Sequence, residues 1–343
     1  MYNKLIIYYF TGTGNALAAA KWMEETAQKR QVATEILQIT PSLQIHTEDI
    51  PTNSLIGFCY PTHGFNAPPI VVDFCLRFPK VRRNFFILNT RAGMKLYRLF
   101  TPGMTGLAQL FPALILRLKG MKLVGLQPMD LPSNWISIHP GLRQKVVTSI
   151  FDRCKRKTKL FAERTLSGVK TWKGLLSLPI DLLVSPISIL YFFFGRFFLA
   201  KSFVADYNCN SCGLCVKQCP VKAIVWKENR PFWTRKCESC MHCMNLCPKR
   251  AIQTPHAFVV LIWWLVLSLI PVTLVHIFST PGDFISEHFS LFVWIFILLT
   301  AFPIVVFSYR ILHFLMRYSF INRLVSFTSL TKFRFWRRYN ASK

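Results

Sequence analysis

Acidic residues are scarce in this chain of 343 residues: 15 Asp and Glu stand against 42 Lys and Arg, for a formal net charge of +27. That imbalance points to an anionic partner, whether nucleic acid, anionic lipid or an acidic protein, and the placement of the charge decides among them. An export signal is also missing. Lys4 precedes only the short apolar run Leu5 to Phe10, and Thr11-Gly12-Thr13-Gly14-Asn15 stands where a small-residue cleavage site would be needed. A cytoplasmic N-terminal domain is therefore expected. Evenly scattered cysteine is lacking too. Of 11 Cys, only Cys59, Cys75 and Cys154 are isolated, and the rest form two tight groups. This disfavours a secreted disulfide framework and favours ligand use in a reducing compartment.

What is abundant is apolar. The chain is 52% hydrophobic and 15% aromatic, with 31 Phe, and its mean hydropathy is positive. Such values are high for a soluble protein and suggest a membrane component. From residue 1 to 168, short apolar runs alternate with longer mixed segments, the pattern of βα units around a doubly wound parallel sheet. Strands are expected at Lys4 to Phe10, Ala33 to Ile39, Leu55 to Tyr60, Asn84 to Asn89 and Lys122 to Gln127. Helices are expected at about Asn15 to Lys29, Pro69 to Phe78, Met104 to Leu118 and Gly141 to Thr165, the last strongly basic.

The two cysteine groups each read CxxCxxCxxxCP: Cys209, Cys212, Cys215 and Cys219 before Pro220, then Cys237, Cys240, Cys243 and Cys247 before Pro248. Ala223-Ile224 and Ala251-Ile252 follow them, so residues 203–255 contain an internal repeat with implied pseudo-twofold symmetry. Three thiolates spaced three apart wrap one iron–sulfur cluster, while the fourth lies too far round and reaches the other. Cys209, Cys212, Cys215 and Cys247 are accordingly assigned to one 4Fe-4S cluster, and Cys237, Cys240, Cys243 and Cys219 to its mate. Structural zinc would want two separated cysteine pairs instead. Residues 203–255 resemble bacterial two-cluster ferredoxins, with Gly213, Pro220 and Pro248 where that family has its turn Gly and Pro. The resemblance implies clusters close enough for fast one-electron exchange.

Thr11, Gly12, Thr13, Gly14 and Asn15 follow the first expected strand and open a helix, so backbone amides and the positive helix end would cradle a phosphate. This run resembles the flavodoxin phosphate loop, which implies FMN as cofactor and a flavodoxin-like α/β fold. Flavodoxins stack the isoalloxazine ring on aromatics from two further loops. Those loops here read Pro61-Thr62-His63-Gly64-Phe65-Asn66 and Thr90-Arg91-Ala92-Gly93-Met94. His63 or Phe65 supplies one aromatic face, and the second loop has none. Arg91 either stabilises an anionic flavin or is a solvated loop charge.

The order of a flavodoxin-like domain (1–168) followed by a two-cluster ferredoxin domain (203–255) resembles a family of fused iron–sulfur flavoproteins and ferredoxins of anaerobes. Between them lies an apolar and basic linker, 169–202. Its longest uncharged run, Leu182 to Gly195, is too short for an ordinary spanning helix, so it is expected to be interfacial or buried. Phe258 to Phe278 and Phe289 to Tyr309 each carry no Asp, Glu, Lys or Arg, and each is long enough to span a bilayer. They are expected to form a transmembrane helical hairpin within 256–312, before a basic tail, 313–343. The positive flanks place both large ends on the cytoplasmic side of a multi-pass membrane protein.

Next to such spans, anionic lipid is the more economical partner for the basic segments, and no nucleic acid is expected. Redox donor and acceptor proteins, acidic ones among them, are the other expected partners. The leading expectation is a membrane-tethered protein passing electrons between FMN and two 4Fe-4S clusters. The alternatives are an iron–sulfur carrier with a flavin-free docking module, and a quinone-linked membrane reductase.

Overall fold

The computed structural model of the protein describes residues 2–269, 273 and 289–339. These form two compact units. One comprises the chain up to Arg196, together with Glu238–Asn245 and the C-terminal residues from Arg337. The other comprises Phe197–Cys237 and Leu246–Trp336.

The first unit is built on five parallel strands, β1 (Lys4–Tyr9), β2 (Ala33–Gln38), β3 (Ser54–Pro61), β4 (Asn84–Leu96) and β6 (Lys122–Pro132), in the order β2-β1-β3-β4-β6. Helices α1 (Asn15–Lys29) and α4 (Gln144–Leu166) pack together, as do α2 (Pro69–Arg77) and α3 (Leu107–Leu118). Beneath α1 and α4 lies an apolar layer that includes Leu5, Ile7, Leu55, Leu88 and Phe161. Another cluster, of Tyr8, Phe58, Phe74, Phe78 and Phe85, consists almost wholly of tilted and edge-on ring pairs. Cys59, Cys75 and Cys154 are buried in this unit, and burial pushes each thiol up, to about 12 at Cys154. These are packing residues rather than reactive ones.

Two glycines make room for a pair of large rings, Phe86 and Phe161. Phe86 lies opposite Gly57 on β3 and Gly125 on β6. A Cβ on Gly57 would sit 2.4 Å from the Phe86 ring, and one on Gly125 2.9 Å from the ring of Phe161, which meets Phe86 edge-on at 5.4 Å.

One segment differs from expectation. Thr90 to Met94 is not a loop but a continuation of β4, paired with β6 through Gly93 opposite Pro132. The strand turns at Tyr97, whose φ is 53°, and returns as β5 (Leu99–Thr101). The physical reason is charge pairing across the extension. Arg91 Nε donates to Asp130 Oδ1 at 2.7 Å, and Nη1 donates to Thr105 Oγ1 at 2.9 Å, so both charged side chains tolerate burial between strands. Arg91 is therefore no solvated loop charge.

After α4, two short helices, α5 (Leu178–Leu183) and α6 (Ser185–Leu190), lead into a π-helical turn, Tyr191–Gly195. Asp181 fixes this segment to the first unit by accepting from the amides of Thr105 and Gly106 at 2.9 and 2.8 Å. Leu176 and Leu183 remain 83% and 78% exposed. Among the described residues no single helix is long and apolar enough to cross a membrane. One pair, Lys173–Leu183 and Ser185–Ala200, meets that test together but is bent by 80°.

In the second unit, β7 (Val204–Ala205) pairs antiparallel with β10 (Ile252–Gln253), and β8 (Ile224–Lys227) forms a hairpin with β9 (Arg230–Trp233). Glu228 and Asn229 turn that hairpin, both at positive φ, as a two-residue turn that follows strand twist requires. Helices α7 (Arg196–Ala200), α8 (Leu214–Lys217) and α10 (His256–Trp264) are short, and so is α9 (His242–Leu246), which lies almost wholly in the first unit.

Helix α11 (Phe289–Leu315) begins where the second expected span begins, and its apolar stretch Leu299–Leu315 is short of a span. Its C-terminal half is held by Tyr309, whose hydroxyl donates to the Phe203 carbonyl at 3.1 Å and accepts from the Trp233 amide. Arg310 and His313 both bond Glu228. The first expected span is described as α10, a π-helical turn Leu265–Leu269, and Thr273. The rest of it, and the connection 279–288, lie outside the described residues. Last comes α12 (Ser319–Phe327).

Replacing Gly57 with Ala inserts a methyl into the Phe86 ring. Gly57→Ala is expected to destabilise the protein by about 2 kcal/mol, read as a lower thermal unfolding midpoint.

Candidate redox centre

The cysteine repeat is a repeat of backbone conformation. Ser211 and Gly213 in the first copy, and Ser239 and Met241 in the second, adopt positive φ of 55°, 73°, 52° and 60°. Lys222 and Arg250 match at 49° and 50°. Each copy closes in the same way. The Ala223 amide donates to Cys219 Sγ at 3.2 Å and the Ala251 amide to Cys247 Sγ at 3.3 Å. Amide donors aimed at sulfur are what a ligating thiolate needs, and they tune the cluster it holds.

Within the second unit, Cys209, Cys212, Cys215 and Cys247 come together although Cys247 lies far along the chain. Cys209 is pushed up first by burial and then by the nearby charge of Cys247 and Cys212, and Cys215 rises to about 11 through burial, Cys209 and Cys247. Both shifts favour the thiol over the thiolate, so metal binding at Cys209 and Cys215 must displace their protons. The CxxCxxCxxxCP spacing suits a cluster, whose separate irons each take one thiolate, rather than one tetrahedral zinc. Cys237, Cys240 and Cys243, three of the ligands expected for the other cluster, are all buried.

Cys240 and Cys243 belong to the first unit, where Cys240 meets the phosphate loop. Gly14 takes the left-handed conformation (φ 93°) that ends the loop, its amide donating to Thr11 Oγ1 at 3.0 Å, and no side chain caps α1. An uncapped helix N-terminus is receptive to an anion. Thr13 and Asn15 are buried and oriented: Asn134 donates to Thr13 Oγ1 at 2.8 Å, and Asn15 donates to the Pro132 carbonyl and accepts from Tyr339. Gly12 lies directly under the second cysteine segment. A Cβ there would be 2.0 Å from the Cys240 carbonyl oxygen, and His242 Nδ1 donates to the Gly12 carbonyl at 2.6 Å.

Of the expected flavin contacts, His63 is fully buried beside Phe10, with ring centroids 6.4 Å apart. Neither of its ring nitrogens has a hydrogen-bond partner among the described residues. Burial lowers its imidazole to about 4, so the ring is neutral. Phe65 sits at positive φ, and its carbonyl accepts from Leu107 and Ser188. The guanidinium of Arg91 is occupied by Asp130 and Thr105.

Trp135, in the turn after β6, stands 6.0 Å from His63 and 5.5 Å from Tyr191, its Nε1 without a hydrogen-bond partner among the described residues. Orphaned buried donors are costly, and a flavin edge offers complementary atoms, so these residues fit the group. No motif marks Trp135, and periodicity within β6 ends before it. Sequence reading also missed Glu238, between two cluster ligands. Its Oε1 accepts from the Ile70 amide at the start of α2 at 2.7 Å, and burial pushes its carboxyl up to about 8.

Comparison with known proteins agrees with the cluster-binding half. Residues 208–252 match the 4Fe-4S dicluster domain family. No curated protein matches the chain. Among solved structures, oxidised flavodoxin 1 from Bacillus cereus is similar over 45% of this chain and 96% of its own, at 13% identity and a TM-score of 0.31. A flavodoxin from the domain Archaea covers 47% and 97% at 14% identity and 0.28. A short-chain flavodoxin associated with a non-canonical PDU bacterial microcompartment covers 46% and 99% at 12% identity and 0.29. Those scores are low, and it is the order of the five parallel strands that makes the fold flavodoxin-like. The chain thus joins a flavodoxin-like α/β fold to a 4Fe-4S cluster-binding domain, a combination suited to electron transfer.

Two outcomes follow. If Cys247 joins Cys209, Cys212 and Cys215 in holding one of two clusters, Cys247→Ser should leave about four irons per chain instead of about eight, measured by iron analysis with electron paramagnetic resonance. His63 is neutral when folded, whereas the unfolded chain binds its proton below about pH 6.5. Stability should therefore fall as pH drops from about 6.5 towards 4, by at most about 3 kcal/mol, and His63→Phe should remove that part of the slope in urea titrations.

Proposed function

We propose that this is a membrane-tethered electron-transfer protein in which FMN on the flavodoxin-like domain and two 4Fe-4S clusters exchange electrons. The observation that carries the reading is the seating of the Cys240 carbonyl on Gly12 of the phosphate loop. A cluster-ligand segment and a flavin-type loop then share one packed surface, with His242 bonded across it.

Thr11, Gly12, Thr13, Gly14 and Asn15 would hold the FMN phosphate, and His63 and Trp135 would face its ring. Cys209, Cys212, Cys215 and Cys247 would hold one cluster, and Cys219, Cys237, Cys240 and Cys243 the other. FMN supplies the exchange between two-electron and one-electron chemistry, and the clusters supply single-electron carriage. The chain's own part is to position these groups, to aim amides at sulfur, and to keep water away from the segment around Glu238.

Tethering rests on the uncharged runs Phe258 to Phe278 and Phe289 to Tyr309 and on the flanking arginines, with both redox domains on the cytoplasmic side. The net charge of +27 favours acidic redox proteins as donor and acceptor, and anionic lipid beneath the basic segments.

Anaerobic purification and cofactor analysis test the reading. About eight irons and matching sulfide per chain, with one FMN, are expected. The same iron without flavin would leave an iron–sulfur carrier with an empty docking module, and zinc in place of iron would remove the clusters from the proposal.

A further inference from the structure

Helix α12 has its polarity reversed. In a water-facing helix the apolar stripe turns inward and the polar one outward. Here the inward face carries Asn322 and Ser326, 1% and 0% exposed, followed by Ser329 and Thr331, both fully buried. Each is satisfied internally: Asn322 Nδ2 donates to the Met316 carbonyl at 2.9 Å, Ser326 to the Asn322 carbonyl at 2.6 Å, Ser329 to the Val325 carbonyl at 2.9 Å, and Thr331 to Gln253 Oε1 at 2.7 Å. The outward face carries Phe320, Leu324 and Phe327, at positions i, i+4 and i+7, and they are 77%, 54% and 68% exposed. Such a face is built for a surrounding that is not water.

The charge beside that face narrows what the surrounding is. Arg323 and Lys332 line, with Tyr207, Phe320, Leu324 and Phe327, a groove of about 610 Å³. Lys332 Nζ lies 4.9 Å from the centre of the Tyr207 ring. The carboxylate whose charge reaches Lys332 is Asp206, fully buried and already accepting from Asn208 and Gln253. No Asp or Glu follows Glu287, whereas Arg310, Arg317, Arg323, Lys332 and Arg334 do. Aromatic and apolar side chains on one side of a cationic pair describe an amphiphile with a negative head. A soluble acidic protein would match the cations but not the row of phenylalanines.

We infer that α12 is an interfacial helix whose groove binds an anionic phospholipid, the headgroup phosphate at Arg323 and Lys332 and the acyl chains along Phe320, Leu324 and Phe327. Because Tyr207 stands two residues before Cys209, the bound lipid would set the edge of that cluster at the bilayer surface. The inference deepens the membrane reading above but uses none of the hairpin residues.

The test uses the full chain, purified anaerobically and placed in nanodiscs of phosphatidylcholine, with or without phosphatidylglycerol. Hydrogen exchange is read over 319–332, with cluster absorbance as the check on folding. Exchange is expected to be about tenfold slower with phosphatidylglycerol, in line with two cations near an anionic surface. The pair Arg323→Gln and Lys332→Gln should abolish that difference, and the pair Phe320→Ser and Phe327→Ser should abolish protection in both lipids. Equal exchange with and without phosphatidylglycerol, or protection only when an acidic redox protein is added, would overturn the inference. Carbonate extraction of membranes reads the hairpin separately. Release by carbonate with the lipid effect intact supports this groove and counts against the hairpin alone, whereas retention without the lipid effect overturns the groove alone.

Discussion

Everything proposed for the redox chemistry depends on one close approach, that of the Cys240 carbonyl to Gly12. There is no room between them for a single methyl, so a phosphate-loop position that needs glycine for space, beside one that needs it for a left-handed turn, becomes the seat of a cluster-ligand segment. The contact is supported on all sides. His242 bonds the Gly12 carbonyl, Glu238 accepts from the first turn of α2, Arg338 donates to the Met244 carbonyl, and Tyr339 reaches Asn15. Residues from the middle and from the end of the chain thus lock onto the βα loop at its start. Rigid seating of this kind is what electron exchange between fixed carriers asks of a protein, which positions the groups and leaves the chemistry to them.

Around that seat the unit tolerates polar groups that a core would normally exclude. Among the described residues, His63 and Trp135 bury ring nitrogens without hydrogen-bond partners, and Glu238 buries a carboxyl with one oxygen unpaired. Each is costly alone, and all lie in the unit that carries the phosphate loop. Arg91 shows the contrasting case: a buried charge matched by Asp130 and Thr105, which helps extend two strands.

The C-terminal part of the chain resolves a similar conflict differently. Helix α12 turns serine and asparagine inward and phenylalanine outward. Taken with the exposed leucines of the bent segment after α4, the apolar excess in the composition is thus displayed on particular faces instead of being spent wholly in cores.

Local rules made much of this protein legible in its sequence. The cluster-binding domain follows from cysteine spacing, α1 begins and ends where its pattern says, and the βα alternation yields a parallel sheet, because each signal is written within a few neighbouring residues. What failed locally was set by distant partners. β4 runs on to Leu96 because Asp130 neutralises Arg91 across the strands, and Trp135 reaches His63 from a turn with no motif of its own. By itself the sequence determined the cluster motif, the α/β class and the uncharged runs, since thiolate spacing and hydrophobic period are properties of contiguous chain. Only the tertiary structure decided that Cys240 rests on Gly12 and that α12 faces outward with its aromatics, since both depend on which surfaces meet once remote segments have packed.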